Sequence, residues 1–413
     1  MSRQKNPGVL VVVAGTGINL ALGILYTWSI FKAAITKSIE SGAGFRWDPS
    51  AINDPYAVCC LVFAFSMILA GKLQDRFGPR IVAMAGGALV GIGFILISRT
   101  FEYWVWILGF GILAGMGIGF GYASATPPAL KWFPPAKTGL IAGLVVSGFG
   151  LASVYIAPVS NYLVGHWGLQ NAMLFFGIAF FIVVCCLSML LKDPSPGFVP
   201  AAAHGAAQTS AATASVNLSP RDLFKSGKFY LLWSLYFIGS GAGLMVIGSM
   251  SGMARRSMGE WAFVAVAVLA IGNASGRIIA GVMSDRVGRR KTLALMLSFQ
   301  AVLMFLAIPL VKGGGGVVLV VLATLIGFNY GTNLSLFPSL AKDFWGLKNF
   351  GINYGILFTA WGVGGFVMGR LSQMLKTASG TFDSSFITAG ILLIVGACLT
   401  LLLKKGESLP GQS

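Results

Sequence analysis

Acidic side chains are nearly missing from this sequence, which sets 12 Asp and Glu against 29 Lys and Arg over 413 residues and contains only 2 His. The acids present are Glu40, Asp48, Asp54, Asp75, Glu102, Asp193, Asp222, Glu260, Asp285, Asp343, Asp383 and Glu407. All of them fall in polar breaks or at the ends of apolar runs, as do His166 and His204. No carboxylate or imidazole is therefore expected deep inside an apolar segment, where general acid–base catalysis, metal ligation or a proton relay would need one. An enzyme is hard to build from what remains, and no cofactor or metal is expected. The five cysteines, Cys59, Cys60, Cys185, Cys186 and Cys398, lie within apolar segments without metal-ligand spacing and read as small buried residues.

Long polar stretches are also lacking. Charged residues make up 10% of the chain, against roughly 25% in soluble domains, while hydrophobic residues make up 56% and mean hydropathy is +0.82. Apolar runs long enough to cross a hydrocarbon core about 30 Å thick recur along nearly the whole chain. They are apolar on all sides and rich in glycine, as packed membrane helices are, so a barrel of alternating polarity is excluded. The first run follows Arg3 and Lys5 but continues past Leu25 without a cleavage site, and reads as an uncleaved membrane helix. The expectation is an all-α membrane protein of about twelve transmembrane helices in two six-helix bundles. The first bundle covers 1–191 and the second 229–413, with a Pro-, Ala- and Ser-rich linker at 192–228. That linker is the longest segment outside the apolar runs, so a sensor or scaffold with a soluble output domain has nowhere to reside.

The net charge of +17 would suggest nucleic acid in a soluble protein. In a membrane protein it reflects topology: with a cytoplasmic N-terminus, most basic residues fall on the cytoplasmic side, including Arg286, Arg289, Arg290 and Lys291 in one short loop. There they face anionic lipid, and no nucleic-acid partner is expected.

One cation breaks this pattern. Arg277 lies inside the eighth apolar run, in Gly272-Asn273-Ala-Ser-Gly276-Arg277, too deep to reach headgroups easily. A guanidinium there costs roughly 2.5–3.5 kcal/mol on insertion scales and should face a polar cavity, where an anion offsets the cost. Asn273 is one helical turn away on the same face. The arrangement suits a bidentate carboxylate clamp; the bland alternative pairs Arg277 with backbone carbonyls or the nearby loop. Polar-tipped aromatics recur on other runs: Tyr26 and Trp28, Tyr122, Tyr330, and Trp361 beside Phe358. Each alone is as easily explained by packing.

The two halves match in motif as well as number. Gly71-Lys-Leu-Gln-Asp75-Arg76-Phe-Gly78 after the second run recurs as Gly281-Val-Met-Ser-Asp285-Arg286-Val-Gly288 after the eighth. A repeated half of six helices resembles the major facilitator superfamily. The resemblance implies that Asp75, Arg76, Asp285 and Arg286 latch helix ends on the cytoplasmic side and stabilise one facing of the carrier.

The run Lys131-Trp132-Phe133-Pro134-Pro135-Ala-Lys137-Thr-Gly139, together with Tyr26-Thr-Trp28-Ser29, Leu336-Phe337-Pro338-Ser339 and Asn353-Tyr354-Gly355, is similar to the monocarboxylate transporters and the oxalate/formate antiporters. That resemblance implies a bacterial inner-membrane homologue with both termini cytoplasmic. Such a homologue would carry a small monocarboxylate of the lactate or pyruvate class, by proton symport and alternating access, as a monomer in lipid. An exchanger of formate or oxalate is the alternative. By the same resemblance Arg277 would meet the carboxylate, Asn273 and Tyr330 would complete the polar contacts, and Tyr26, Tyr122, Phe358 and Trp361 would form the wall. The antiporters place a second cation, a lysine, where this chain has Trp361, so a dianion would be undercompensated and a monoanion is favoured. The animal carriers have an aspartate where Asn273 stands and a lysine near Ile30, so the proton is expected to travel with the substrate carboxylate.

Overall fold

The computed structural model describes residues 7–195, 198, 217–258, 262–313 and 315–403. Arg3, Lys5, His204, Glu260, Glu407 and residues 196–197 and 199–216 of the expected linker lie outside the described residues. The chain is an integral multi-pass membrane protein, and the regular structure of its described residues is all helix, joined by short turns and loops.

Helix α1 runs Gly8–Glu40, α2 Asp54–Phe77, α3 Pro79–Ile97 and α4 Tyr103–Lys131. A single hydrogen-bonded stretch, Thr138–Ser188, is two helices, α5 at 138–167 and α6 at 169–188, because Gly168 takes a φ of 79° that a helix cannot hold. A one-turn helix, Pro220–Leu223, lies in the described part of the expected linker. It is capped by the Ser219 side chain, which accepts from the Asp222 amide. Then follow α7 Gly227–Met258, α8 Ala262–Val287, α9 Arg289–Gly313, α10 Gly316–Trp345, α11 Phe350–Ser379 and α12 Asp383–Leu399. Large apolar side chains such as Phe65, Ile81, Ile92, Val321 and Ile391 are left exposed on the outer faces. Water would penalise that surface and hydrocarbon does not. The described acids sit at helix ends or in loops, as expected.

Two compact units result: Met1–Pro134 with Leu144–Ala206, and Pro135–Gly143 with Ala207–Ser413. The first turns of α5 thus belong with the second unit. Each unit holds one copy of the repeated loop, and the two copies share a backbone device. Gly78 and Gly288 have φ of 83° and 100°. Each donates its N–H four residues back, to the carbonyls of Gln74 and Ser284 respectively. A side chain is strained in that region, so glycine allows one membrane helix to end and the next to begin within a residue.

Glycine has a second use in the packing of α8 on α10. A methyl group on Gly272 would overlap the Thr324 carbonyl oxygen, and one on Gly276 the Phe328 oxygen. In the reverse direction, one on Gly331 would overlap the Asn273 oxygen, and one on Gly327 would stand 2.6 Å from the Leu269 oxygen. Small residues at these steps let two backbones touch, which is how helices associate where water supplies no drive between them. The ladder fixes α8 and α10 in register, and Asn273 stands on it.

Helix α1 is not uniform: Gly23–Thr27 tightens to a 3₁₀ turn, and in α4 Ile107–Ala114 widens to π geometry. Both alter the direction of the side chains beyond them.

Adding a methyl group at Gly276 should lower the thermal midpoint of the detergent-solubilised protein by several degrees, since overpacking costs about 1–3 kcal/mol. Gly369, around which a methyl group meets nothing within 4 Å, should tolerate Ala without loss. Fluorescence-detected thermal unfolding of Gly276→Ala and Gly369→Ala checks this; equal midpoints would remove the ladder's claimed role.

Candidate functional site

In the second unit, α8 carries Arg277 fully buried and Asn273 at 2% exposure. Among the described residues no other Lys, Arg, Asp or Glu is as deeply buried. The 3.6-residue period places the two side chains one above the other, and Arg277 Nε donates to Asn273 Oδ1 at 3.0 Å. This bond uses the inner edge of the guanidinium and fixes its plane. Asn273 is itself held: its backbone oxygen abuts Gly331, and a methyl group at Gly331 would also lie 2.9 Å from Oδ1. An amide oxygen beside a buried cation supplies dipolar stabilisation without neutralising it.

Helix α10 carries Tyr330 one residue before Gly331, the glycine that abuts Asn273. The tyrosine hydroxyl accepts a hydrogen bond from Trp361 Nε1 of α11 at 2.8 Å, with both residues buried. Phe358, one turn earlier on α11, stacks on Trp361 with ring centroids 5.1 Å apart and planes at 26°. Gly243 of α7 makes room for the tyrosine, since a methyl group there would stand 2.7 Å from its ring. Two residues outside the expected wall complete the cluster. Tyr236 of α7 stacks on Phe337 at 4.1 Å and meets Phe358 at 6.0 Å, and Tyr354 meets Phe358 at 5.8 Å. Tyr354 belongs to the Asn353-Tyr354-Gly355 motif, while Tyr236 carries no signal beyond being aromatic in an apolar run. The polar run Asn329–Asn333 inside an otherwise apolar helix is a clearer sign. Asn329 and Asn333 are buried, their amide nitrogens donating to the carbonyls of Leu325 and Asn329.

In the first unit, Tyr26 lies in the 3₁₀ turn of α1 and Tyr122 on α4, and both meet Phe149 of α5. The ring centroids are 5.4 and 5.5 Å apart, edge to face. Phe63 of α2 closes the group against Tyr122 at 5.5 Å. Each unit therefore brings its own expected aromatics together, and Phe149 is the organiser that sequence reasoning passes over.

The repeated loops differ in what they hold. Asp285 accepts the backbone N–H groups of Gly139 and Leu140 at 2.8 and 2.9 Å. Its carboxylate thus caps the N-terminus of α5, where unbonded amides and the helix dipole favour negative charge. Its ion-pair partner is Arg289, at 2.6 Å, which also binds Asp343 at 3.0 Å. Arg286, singled out in the sequence, is exposed; the turn at Gly288 brings Arg289 back toward the carboxylate. Lys342 donates to the Thr138 hydroxyl at 2.6 Å. The backbones of α5 and α8 touch here, for a methyl group on Gly139 would overlap the Gly281 oxygen and one on Gly143 the Arg277 oxygen. In the other copy Asp75 is exposed, and Arg76 lies over the Phe77 ring at 5.1 Å. Among the described residues no three His, Cys, Asp or Glu side chains converge as a metal site would require.

A family model described as Major Facilitator Superfamily matches residues 9–369 and 256–412. An uncharacterised MFS-type transporter of Escherichia coli (strain K12), YhjX, is 29% identical over 83% of this chain and 82% of its own length. The oxalate:formate antiporter of Oxalobacter formigenes is 25% identical over 93% and 88%. Monocarboxylate transporter 11 of Homo sapiens is 26% identical over 96% and 83%. Among solved structures, the proton:xylose symporter XylE superposes with a TM-score of 0.73, covering 96% of this chain and 95% of its own at 14% identity. That likeness concerns the fold alone.

Replacing Asp285 by Ala should leave the amides of Gly139 and Leu140 without their acceptor. Hydrogen–deuterium exchange of a peptide covering 135–143 should then speed up by about tenfold or more, given about 1.5–3 kcal/mol for bonds to a charged group. Arg286→Ala should leave that peptide unchanged.

Proposed function

We propose that this chain, which belongs to the major facilitator superfamily, is a secondary active transporter of a small monocarboxylate of the lactate or pyruvate class, working by alternating access. The superfamily comprises transporters rather than enzymes, and the relatives named for oxalate, formate and monocarboxylates put small carboxylates among the substrates of similar chains. The observation that carries the substrate class is Arg277, a buried guanidinium oriented by an amide oxygen. A planar fork of N–H donors matches a carboxylate in shape and charge better than any other side chain does. The carboxylate meets the Nη1 and Nη2 edge of Arg277, with Asn273 and Tyr330 as further polar contacts.

Charge count selects the monoanion. A dicarboxylate bound at Arg277 leaves one negative charge to be desolvated, a cost of several kcal/mol per ion in a site of low polarity. Trp361, Phe358 and Tyr236 instead offer apolar surface for a short carbon chain. The cycle is proposed to be coupled to a proton that travels with the substrate carboxylate, because the described acids lie at helix ends and in loops. That same observation gives the second reading its support: a carrier without a fixed internal acid can also run as an exchanger of two carboxylates. The basic ends of α3 and α9, with Arg80, Arg289, Arg290 and Lys291, are proposed to face the cytoplasm of a bacterial inner membrane.

In proteoliposomes, Arg277→Ala should abolish uptake of labelled lactate with membrane insertion retained. Arg277→Lys should recover only a small part of it, because the charge returns without the fork. Uptake by Arg277→Ala near the unaltered level would overturn the clamp. Uptake into vesicles lacking any internal anion, raised by an inward proton gradient, identifies symport; a strict need for internal carboxylate identifies exchange.

A further inference from the structure

Each end of the expected linker is bound to the unit it adjoins, in both cases at the end of the fourth helix of a half. In the first unit Trp132, the residue after α4, is fully buried. Its Nε1 donates to the Lys192 carbonyl at 2.7 Å, and its ring meets Phe198 edge to face at 4.8 Å. Arg80 Nε, at the start of α3, donates to the Leu191 carbonyl at 2.6 Å. Lys131 pairs with Asp193 at 2.7 Å, but both side chains are partly exposed, so this ion pair adds little and the tryptophan carries the hold.

In the second unit the corresponding helix, α10, ends on the buried Trp345. The Trp345 backbone oxygen accepts the Leu218 N–H at 3.1 Å. The Leu218 carbonyl in turn accepts from two side chains at the start of α11, Asn349 Nδ2 at 3.0 Å and Asn353 Nδ2 at 3.1 Å. These asparagines stand one helical turn apart on one face, which is why two amides reach one oxygen. Beside them, Asn217 Oδ1 accepts the Lys348 N–H at 3.2 Å. Leu218 is itself buried, and its backbone groups are paired as those of interior backbone are. Asn353 comes from the Asn353-Tyr354-Gly355 motif, and its Nδ2 is committed to the linker.

We propose that the linker is a strap fastened at two points, with Trp132 holding its start and Asn349 and Asn353 its end, so that residues 199–216 alone set the reach between the ends of α4 and α10. Asn353 then serves the strap and not the substrate, and the proposal is independent of which solute is carried. An extended chain covers at most about 3.3–3.6 Å per residue, so the two fastenings turn the length of 199–216 into a limit on how far those helix ends can separate. Undoing the second fastening passes further residues into the span, up to Gly227 where α7 begins.

Hydrogen–deuterium exchange in a peptide covering 217–224 of the full-length, detergent-solubilised protein reads the second fastening directly. Asn349→Ala combined with Asn353→Ala should speed that exchange by about tenfold, since two neutral bonds to a buried carbonyl are lost. Replacing 199–216 by Gly and Ser at equal length should change neither the exchange nor the thermal midpoint, because that stretch acts through its length. Stepwise deletion within 199–216 should be neutral up to a limit, beyond which the midpoint falls and exchange in 217–224 rises together. In the Asn349→Ala/Asn353→Ala background the limit should move to longer deletions. Leu218→Pro, which removes the N–H given to Trp345 and leaves α11 unaltered, should move it the same way. Unchanged exchange in the double variant overturns the second fastening. The strap is overturned by an equal deletion limit in all backgrounds, by loss of midpoint on the Gly/Ser replacement, or by removal of all of 199–216 without effect.

Discussion

A positive charge inside a lipid-embedded helix bundle has to be held by dipoles or it cannot stay, and the bond from Arg277 to Asn273 is where the second unit meets that demand. Much of the surrounding architecture serves that bond. Asn273 can keep its oxygen beside the guanidinium because α8 lies against α10 at glycine distance. The same contact brings Tyr330 alongside, and Tyr330 in turn ties α11 through Trp361. Helix packing, burial of a cation and the composition of the aromatic cluster are thus one problem solved together, since hydrocarbon offers the guanidinium no solvation.

The second concentration of charge is of the opposite kind. Around Asp285 the ions lie at the membrane boundary, and the carboxylate is matched by two helix-terminal amides and by Arg289. Arg289 extends the pairing to Asp343. The Asp285–Arg289 pair is largely shielded, with side-chain exposures of 8% and 13%, so removing either partner would leave the other uncompensated at a cost of several kcal/mol.

Much of this was legible in the sequence, and the parts that were not share a cause. Membrane helices declare themselves by length and apolarity alone, and the repeated loops by glycines whose φ values proved positive. The pairing of Asn273 with Arg277 needed only helical spacing. By contrast, Phe149 and Tyr236 organise their clusters through contacts between helices distant in sequence, for which no local period exists. Asp285 and Arg289 are only four residues apart, but Gly288 ends the helix between them, so their pairing depends on the geometry of that turn and not on a continuing helical face. The 3₁₀ turn at Gly23–Thr27 and the π stretch at Ile107–Ala114 leave no compositional trace, because tertiary packing imposes them.

The glycine ladder between α8 and α10 carries one more implication. Backbones that touch at Gly272, Gly276, Gly327 and Gly331 interlock like teeth, and no small slippage is open to them short of jumping a whole notch. Arg277 and Tyr330 therefore stand on two helices whose backbones meet at four glycine steps, and any sliding of one past the other has to clear those contacts first.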